Sequence, residues 1–284
     1  GTSLLREIIM NFLNYVKYFF FKERAYYMNK ILFFDVDGTL YNSEKRLPTS
    51  TKEALFSARR NGYEIAIATG RGPFMIKSLL EELEIDTYVT FNGQYVVYKG
   101  QVIFTDCIPN EYLQRIIDFG ERRGEPVVFL NEHEMIASVP HNEKIATSLA
   151  TLKFPYPPRI DALFYKEQKV YQTLLFVEEK DEHLYREAFP HVQLVRWHPY
   201  ACDILPEFGS KARGISKVLE HVGKTMDDAV AFGDGLNDVE MLEAAGIGVA
   251  MRNGHEEAKA AADVIAPHVD EDGIYKVMKE LGMI

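Results

Sequence analysis

Asp35 and Asp37, one residue apart, directly follow the apolar run Ile31-Leu32-Phe33-Phe34 and precede the turn residues Gly38-Thr39. Two carboxylates that close repel each other unless a cation or a shared proton offsets them. With oxygen ligands, the expected cation is Mg²⁺. Four apolar residues in succession fit a strand covered on both faces, as in a parallel sheet, and Gly38-Thr39 supply the break that ends it. While the chain stays extended, the period of two puts both acids on one side of the backbone. At the carboxyl end of such a strand they face the crevice where open α/β sheets bind ligands. A solvated, Asp-rich turn is the plain alternative. An EF-hand loop fits poorly, because with Asp35 as its first position the glycine comes two places early and the twelfth position is Arg46 rather than a bidentate Glu.

Three more sites fall at strand ends or helix starts: Thr69-Gly70-Arg71, Lys211, and Gly233-Asp234-Gly235-Leu236-Asn237-Asp238. Taken singly, each has an ordinary reading as a turn or a solvated helix start. Gly233-x-Gly235 is similar to a dinucleotide turn, yet Asp234 and Asp238 would repel a pyrophosphate and no third glycine follows. Acids there suit a metal better than a bare phosphate.

The elements that must hold these residues alternate. Ser50-x-x-Glu53 reads as a capping box opening a helix that Gly62 ends. A strand follows over Tyr63–Thr69, a helix over Pro73–Leu83 and a strand over Asp86–Phe91. Late in the chain the same alternation returns: a helix Ser210–His221, a strand Ala229–Phe232, a helix Asp238–Ala245, a strand Ile247–Ala250 and a final helix Gly273–Leu281. Strands alternating with helices indicate a parallel sheet. Between about 92 and 206 the pattern turns hairpin-like, as in Gln94–Tyr98, Lys99-Gly100 and Gln101–Phe104. Further strands are expected at Pro126–Leu130, Tyr171–Val177, Val192–Trp197 and Cys202–Leu205, with helices at Asn110–Arg122 and Asp181–Phe189. Runs of strands with fewer helices suggest an α+β unit inserted in the core.

The chain has 284 residues, 47% hydrophobic and 26% charged, as in a soluble globular protein able to bury a large core. Its net charge of -10 argues against non-specific nucleic-acid binding, so an anionic substrate must be recruited by local cations. Cys107 and Cys202 cannot make a disulfide framework; they read as small core residues in a reducing, cytoplasmic setting. Residues 1–27 differ from the rest, with an apolar run around Phe12 to Phe21 too short to span a bilayer and no small-residue cleavage site after it. Met28 directly precedes Asn29-Lys30 and then the first strand, so a native start is expected there. An amphipathic surface helix is the functional alternative for the extension.

Together, Asp35-Val36-Asp37-Gly38-Thr39, Thr69, Lys211 and Gly233–Asp238, in that order, resemble the four motifs of the haloacid dehalogenase-like hydrolase superfamily. The long insert between the second and third motifs, with Asn92-Gly93, resembles its Cof-type subfamily, whose caps are of the second class. The resemblance spans Met28 to the C-terminus and is closer in the core than in the cap. It implies an α/β fold: a doubly wound, Rossmann-like parallel sheet core with an inserted α+β cap. Residues 28–108 and 207–284 would form the core, 109–206 the cap, and 1–27 an extension outside the core fold.

The implied activity is a Mg²⁺-dependent phosphatase that hydrolyses small phosphorylated metabolites, sugar or cofactor phosphates, through an aspartyl-phosphate. Asp35 would be the nucleophile, and Asp37 would protonate the leaving oxygen and then activate water. Mg²⁺ would be held by Asp35, Asp37, whose backbone carbonyl also reaches it, and Asp234. Val36, Thr69, Gly70, Lys211 and Asn237 would bind the phosphoryl group, with Asp238 orienting Lys211 or the metal's waters. Arg71 resembles a common family residue, with a surface ion pair as its other reading. The family's third motif often has glycine after its lysine, whereas Ala212 follows Lys211; Asp203, just upstream, reads as structural. The insert would act as a lid. Its candidate contacts are His133, Glu134, His141, Arg196, Trp197 and His198, each also an ordinary surface or core residue. The expected partner is a small-molecule phosphate ester, with no nucleic acid or membrane, and the chain a monomer or weak homodimer. A mutase passing the phosphoryl group between sugar hydroxyls would use the same motifs. A receiver-like phosphoacceptor domain shares the aspartates, Thr and Lys, but has little use for Asp37 as acid and base or for a lid.

Overall fold

The computed structural model describes residues 5, 8–16, 29–157 and 159–284. Strand β1 (Ile31–Phe34) is buried throughout. Its side chains alternate between faces: Leu32 and Phe34 join one apolar cluster with Ala54, Leu55, Val277 and Met278, while Ile31 and Phe33 join another with Ile215, Val218, Met241 and Leu242. Helices therefore cover both faces, which is why the strand carries no polar alternation.

From β1 the chain continues through β2 (Glu64–Ala68), β3 (Tyr88–Thr90), β4 (Tyr95–Tyr98) and β5 (Gln101–Thr105), then β6 (Val127–Leu130), β7 (Met135–Ala137), β8 (Arg159–Ile160), β9 (Gln172–Leu175), β10 (Val192–His198) and β11 (Ala201–Pro206). It ends with β12 (Ala229–Gly233), β13 (Ile247–Met251) and β14 (Val264–Ala266). Two sheets result: one of eight strands ordered β14-β13-β12-β1-β2-β3-β4-β5, and one of six ordered β10-β11-β9-β6-β7-β8. In the first, β1 pairs in parallel with both β2 and β12, Phe34 lying level with Ile67 and Phe232. Phe34 and Phe232 stack with ring centroids 4.3 Å apart. That register brings the ends of three strands to one edge, at the point where the strand order runs away from β1 in both directions.

Several expectations change in detail. The hairpin β4–β5 extends the eight-stranded sheet as an antiparallel edge, so that sheet is mixed rather than wholly parallel. Helix Thr49–Arg60 has Pro48 at its N-cap with no side-chain cap. The Ser50 hydroxyl instead donates to Asp272 Oδ1 at 2.5 Å, a tertiary partner that wins over the local capping box. Helix Lys211–His221 falls where expected and is capped by Ser210, whose side chain accepts from the Arg213 amide. In the six-stranded sheet, helices Asn110–Glu121 and Glu182–Ala188 fall where expected. Helix Glu143–Thr151 and strands β7 and β8 were not foreseen. Cys107 and Cys202 are free thiols, Cys202 buried.

Residues 8–16 are helical, and Ile8, Ile9, Met10, Phe12, Leu13 and Tyr15 are exposed. The later part of the N-terminal apolar run and Met28 lie outside the described residues. Among the described residues no helix is long and apolar enough to cross a membrane.

Candidate active site

The chain does not stay extended through Asp37. The amides of Thr39, Leu40 and Tyr41 all donate to the Val36 carbonyl, closing a tight turn, and the Val36 side chain enters the core. The two acids therefore part company, against the simple period-two expectation. Asp35 turns inward, where Lys211 Nζ donates to its Oδ1 at 2.7 Å. Asp37 turns outward and is gripped by Arg71, whose Nε and Nη2 donate to its two oxygens at 2.7 and 2.6 Å, and by Lys45 at 3.1 Å.

Lys211 is fully buried and bridges Asp35 to Asp238, donating to Asp238 Oδ1 at 2.6 Å. The other oxygen of Asp238 accepts from the amides of Asp234 and Gly235, both at 2.9 Å. Thr39 donates to Asp234 Oδ1 at 3.0 Å. Gly38 permits this approach: at φ 80° its missing Cβ would stand 2.2 Å from Asp234 Oδ2. The helix carrying Lys211 is backed just as closely. A Cβ on Gly93, at φ 93°, would stand 1.9 Å from the Ser210 carbonyl oxygen, and one on Gly214 would stand 2.3 Å from Val89.

One ligand oxygen from each of Asp35, Asp234 and Asp238 fits within 4.8 Å of the others. Burial pushes Asp35 up to about 8, and although Lys211 opposes this, the charge of Asp234 adds to it. Burial raises Asp234 as well, and raises Asp238 to about 6 with help from Asp35. Lys211 alone thus leaves the cluster short of positive charge. Burial would lower the Lys211 pKa, but Asp238 and then Asp35 outweigh it and hold the ammonium charged. Crowded, buried oxygen donors that are hard to ionise fit a divalent cation. Asp35 and Asp234 are the better placed to ligate, since Asp238 already satisfies Lys211 and two amides. Asp37 behaves oppositely: burial pushes it up, but the hydrogen bonds and charge of Arg71, then of Lys45, outweigh burial and hold it below the usual carboxylate range.

A cavity of about 350 Å³ lies over this edge. Its floor includes Asp35, Asp37, Lys45, Thr69, Gly70, Arg71, Asp234 and Asn237, and its ceiling comes from the six-stranded sheet and its helices. A polar chain ties floor to ceiling. Asn237 donates to Asn92 Oδ1 at 3.0 Å, Asn92 donates to Gln172 Oε1 at 3.1 Å, and Gln172 donates to the Gly70 carbonyl at 3.1 Å. Arg71 also lies over the Tyr41 ring at 5.8 Å and the Phe154 ring at 5.2 Å.

A family model for haloacid dehalogenase-like hydrolases matches residues 32–278. The chain belongs to that family. It is 43% identical to the YkrA protein of Bacillus subtilis over 256 residues, covering 90% of this chain and 99% of that one. It is 31% identical over 262 residues to the pyridoxal phosphate phosphatase YbhA of Escherichia coli, covering 86% and 96%. Among solved structures, a sugar phosphatase of HAD subclass IIB, BT4131, superposes with a TM-score of 0.82 at 37% identity, covering 90% of this chain and all of that one.

In this haloacid dehalogenase-like hydrolase, all the motif residues singled out from the sequence converge: Asp35, Asp37, Thr69, Gly70, Asp234 and Asn237 line the cavity, with Lys211 and Asp238 directly beneath. Of the cap candidates, Arg196 and Trp197 reach the cavity. His133 pairs with Glu132, Glu134 with Arg159 and His141 with Glu143, all at the surface, and His198 bonds Ser148. Lys45, Asn92, Gln172 and His255 were missed. Asn92 had a local signal, the Asn-Gly pair that favours left-handed backbone, and its φ is 54°. The others are assembled by tertiary packing and carry none.

Proposed function

We propose that this protein is a Mg²⁺-dependent phosphatase that hydrolyses small phosphorylated metabolites by way of a phosphoryl group carried on Asp35. The observation that carries this reading is the buried group of Asp35, Asp234 and Asp238 around Lys211, at neighbouring strand ends beneath a lidded cavity. Two of the proteins it resembles carry names that agree in reaction class and differ in leaving group, one a pyridoxal phosphate phosphatase and the other a sugar phosphatase.

An Asp35 oxygen attacks phosphorus as the bond to the leaving oxygen breaks, and Asp37 supplies the proton that the alcohol takes away. Water then attacks the phosphorus, giving its proton to Asp37, and the Asp35–phosphorus bond breaks to release phosphate. As held by Arg71 and Lys45, Asp37 is ionised and suited to the second step. To donate in the first step it must loosen from those cations as the substrate binds. Lys211, the Thr69 hydroxyl, the Gly70 and Val36 amides and the Asn237 amide group would meet the phosphoryl oxygens as charge develops on them. A Mg²⁺ ion held by Asp35, Asp234 and the Asp37 carbonyl would offset the repulsion between the ester's charge and Asp35. The inserted segment, taken as residues 109–206, would close over the ester and exclude water.

The test is phosphate release from a panel of esters with Mg²⁺ or with chelator. Release should need Mg²⁺, Asp35→Asn should fall to background, and Asp37→Asn should lose about 10²- to 10⁴-fold. Metal-independent release, or a fully active Asp35→Asn protein, would overturn the reading.

A further inference from the structure

The segment Phe91-Asn92-Gly93, between β3 and β4, lies where floor and ceiling meet. Its backbone is fixed to the loop after β2: the Phe91 amide donates to the Arg71 carbonyl and the Asn92 amide to the Thr69 carbonyl, both at 3.0 Å. The Phe91 ring stacks on Tyr171, the residue before β9, with centroids 5.9 Å apart. Asn92 sits in left-handed backbone at φ 54°, a conformation that asparagine tolerates better than most residues. It is 1% exposed and lies outside the lining of the cavity.

Every atom of the Asn92 amide that can form a hydrogen bond is engaged. Its two N–H groups point to the ceiling, to Gln172 Oε1 at 3.1 Å and Asp203 Oδ2 at 3.4 Å, which leaves Oδ1 to accept from Asn237 Nδ2 at 3.0 Å. The ceiling acceptors therefore decide which way the Asn92 amide faces, and Asn92 in turn orients the amide of Asn237. A second line starts from the same Gln172. Its Nε2 donates to the Gly70 carbonyl at 3.1 Å, and the N–H of that same peptide unit, on Arg71, donates to Thr69 Oγ1 at 3.0 Å. A hydroxyl that accepts from this amide turns its own proton away from it, and Thr69 lines the cavity.

We propose that Asn92 is a positioning residue: bonded to Gln172 and Asp203 above and to Asn237 below, it sets the phosphoryl donors of the floor only when the ceiling is in place. The inference rests on the phosphatase reading above, and gives the ceiling a role beyond covering the alcohol. With the ceiling withdrawn, the Asn92 amide loses both of its acceptors and is free to turn its N–H groups toward Asn237. Two donors then face each other, and Asn237 is no longer held. The Gly70 carbonyl loses its partner at the same time. The phosphoryl site is thus complete only in the state from which water is excluded.

The test measures kcat and KM, with Mg²⁺, on the ester of the panel above that the wild type hydrolyses fastest. Asn92→Gly keeps the left-handed backbone and removes the amide, and Asn92 lies outside the cavity, so no substrate contact is lost. Its kcat should fall about 10²-fold while KM stays within about threefold, as when an interaction made only in the transition state is removed. Asn237→Ala should lose about 10²- to 10³-fold. Adding Asn92→Gly to it should cost no more than about tenfold further, because the side chain that Asn92 positions is already gone. Asn92→Asp also suits the left-handed backbone and keeps an acceptor for Asn237, but turns an oxygen on Gln172 and Asp203, so its kcat should fall at least as far as that of Asn92→Gly. A merely structural role would give the same fold-loss with and without Asn237. That equality, or a kcat within about threefold of wild type in either Asn92 variant, overturns the proposal. No release by the wild type from any ester overturns the phosphatase reading itself.

Discussion

Replacing Lys211 with Met keeps most of the side-chain volume and removes the one ammonium that bridges Asp35 and Asp238. Both contacts are short, and all three side chains are almost wholly shielded from solvent. Taking one partner from a buried ionic group typically costs about 3–5 kcal/mol, because charge is left uncompensated. The cost must depend on pH. Both acids have raised folded pKa values, about 8 for Asp35 and about 6 for Asp238. A raised pKa gives stability that is present below the unfolded value and lost as pH climbs through the folded one. Lys211 lowers both acids, so its removal pushes them higher still. Near pH 5, wild type and variant both hold Asp238 protonated, and the gap between them is small. Above pH 6 the wild type ionises Asp238 against Lys211 while the variant keeps the proton, at about 1.4 kcal/mol per pH unit. By pH 8 that one group accounts for about 3 kcal/mol, in line with the figure for a broken buried pair. The core transition should then fall by about 6–20 °C at pH 8 and by much less at pH 5. Thermal unfolding of both proteins in chelator, from pH 5 to 8.5, measures this directly. Equal losses at the two ends of that range would refute the reasoning.

Other consequences follow from the same geometry. Gly93→Ala should destabilise the protein by more than about 1 kcal/mol, since its Cβ would strike the Ser210 carbonyl. Gly100→Ala shares the positive φ but meets nothing within 4 Å, so a comparison of melting temperatures should rank it clearly milder. Arg71→Met removes the strongest of the contacts that lower Asp37, so its pKa rises and the alkaline limb of the kcat/KM profile should move to higher pH. A limb that moves down or stays put would count against Asp37 as the acid. Mg²⁺ at about 100 times its dissociation constant should stabilise the wild type by about 2.7 kcal/mol. Asp234→Asn should lose most of that stabilisation in the same thermal shift assay, without any substrate present.

What was legible in the sequence is what is determined locally. The unbroken run Ile31–Phe34 marked a strand buried on both faces, and the helix expected over Ser210–His221 is the one that aims Lys211. The order of acids, Thr69 and Lys211 then identified the family. The capping role of Ser50 was misjudged because Asp272, far away in sequence, takes its hydroxyl. The parting of Asp35 and Asp37 was equally hidden. Three amides converging on the Val36 carbonyl make the turn, and only the packed fold brings Arg71 and Lys45 to Asp37. The ceiling was least readable. His133 and His141 look chemically apt yet point to solvent, while Trp197 reaches the cavity through a bulge that no local pattern announces.

The central claim is that Asp35 takes the phosphoryl group. Mixing the enzyme with a ³²P-labelled ester in Mg²⁺, quenching in acid within the first turnover and mapping the labelled peptide tests it most directly. The label should sit on the peptide containing Asp35, vanish in Asp35→Asn, and be lost on treatment with hydroxylamine as an acyl phosphate is. Label on another residue, or rapid phosphate release with no labelled protein at any quench time, would contradict the account.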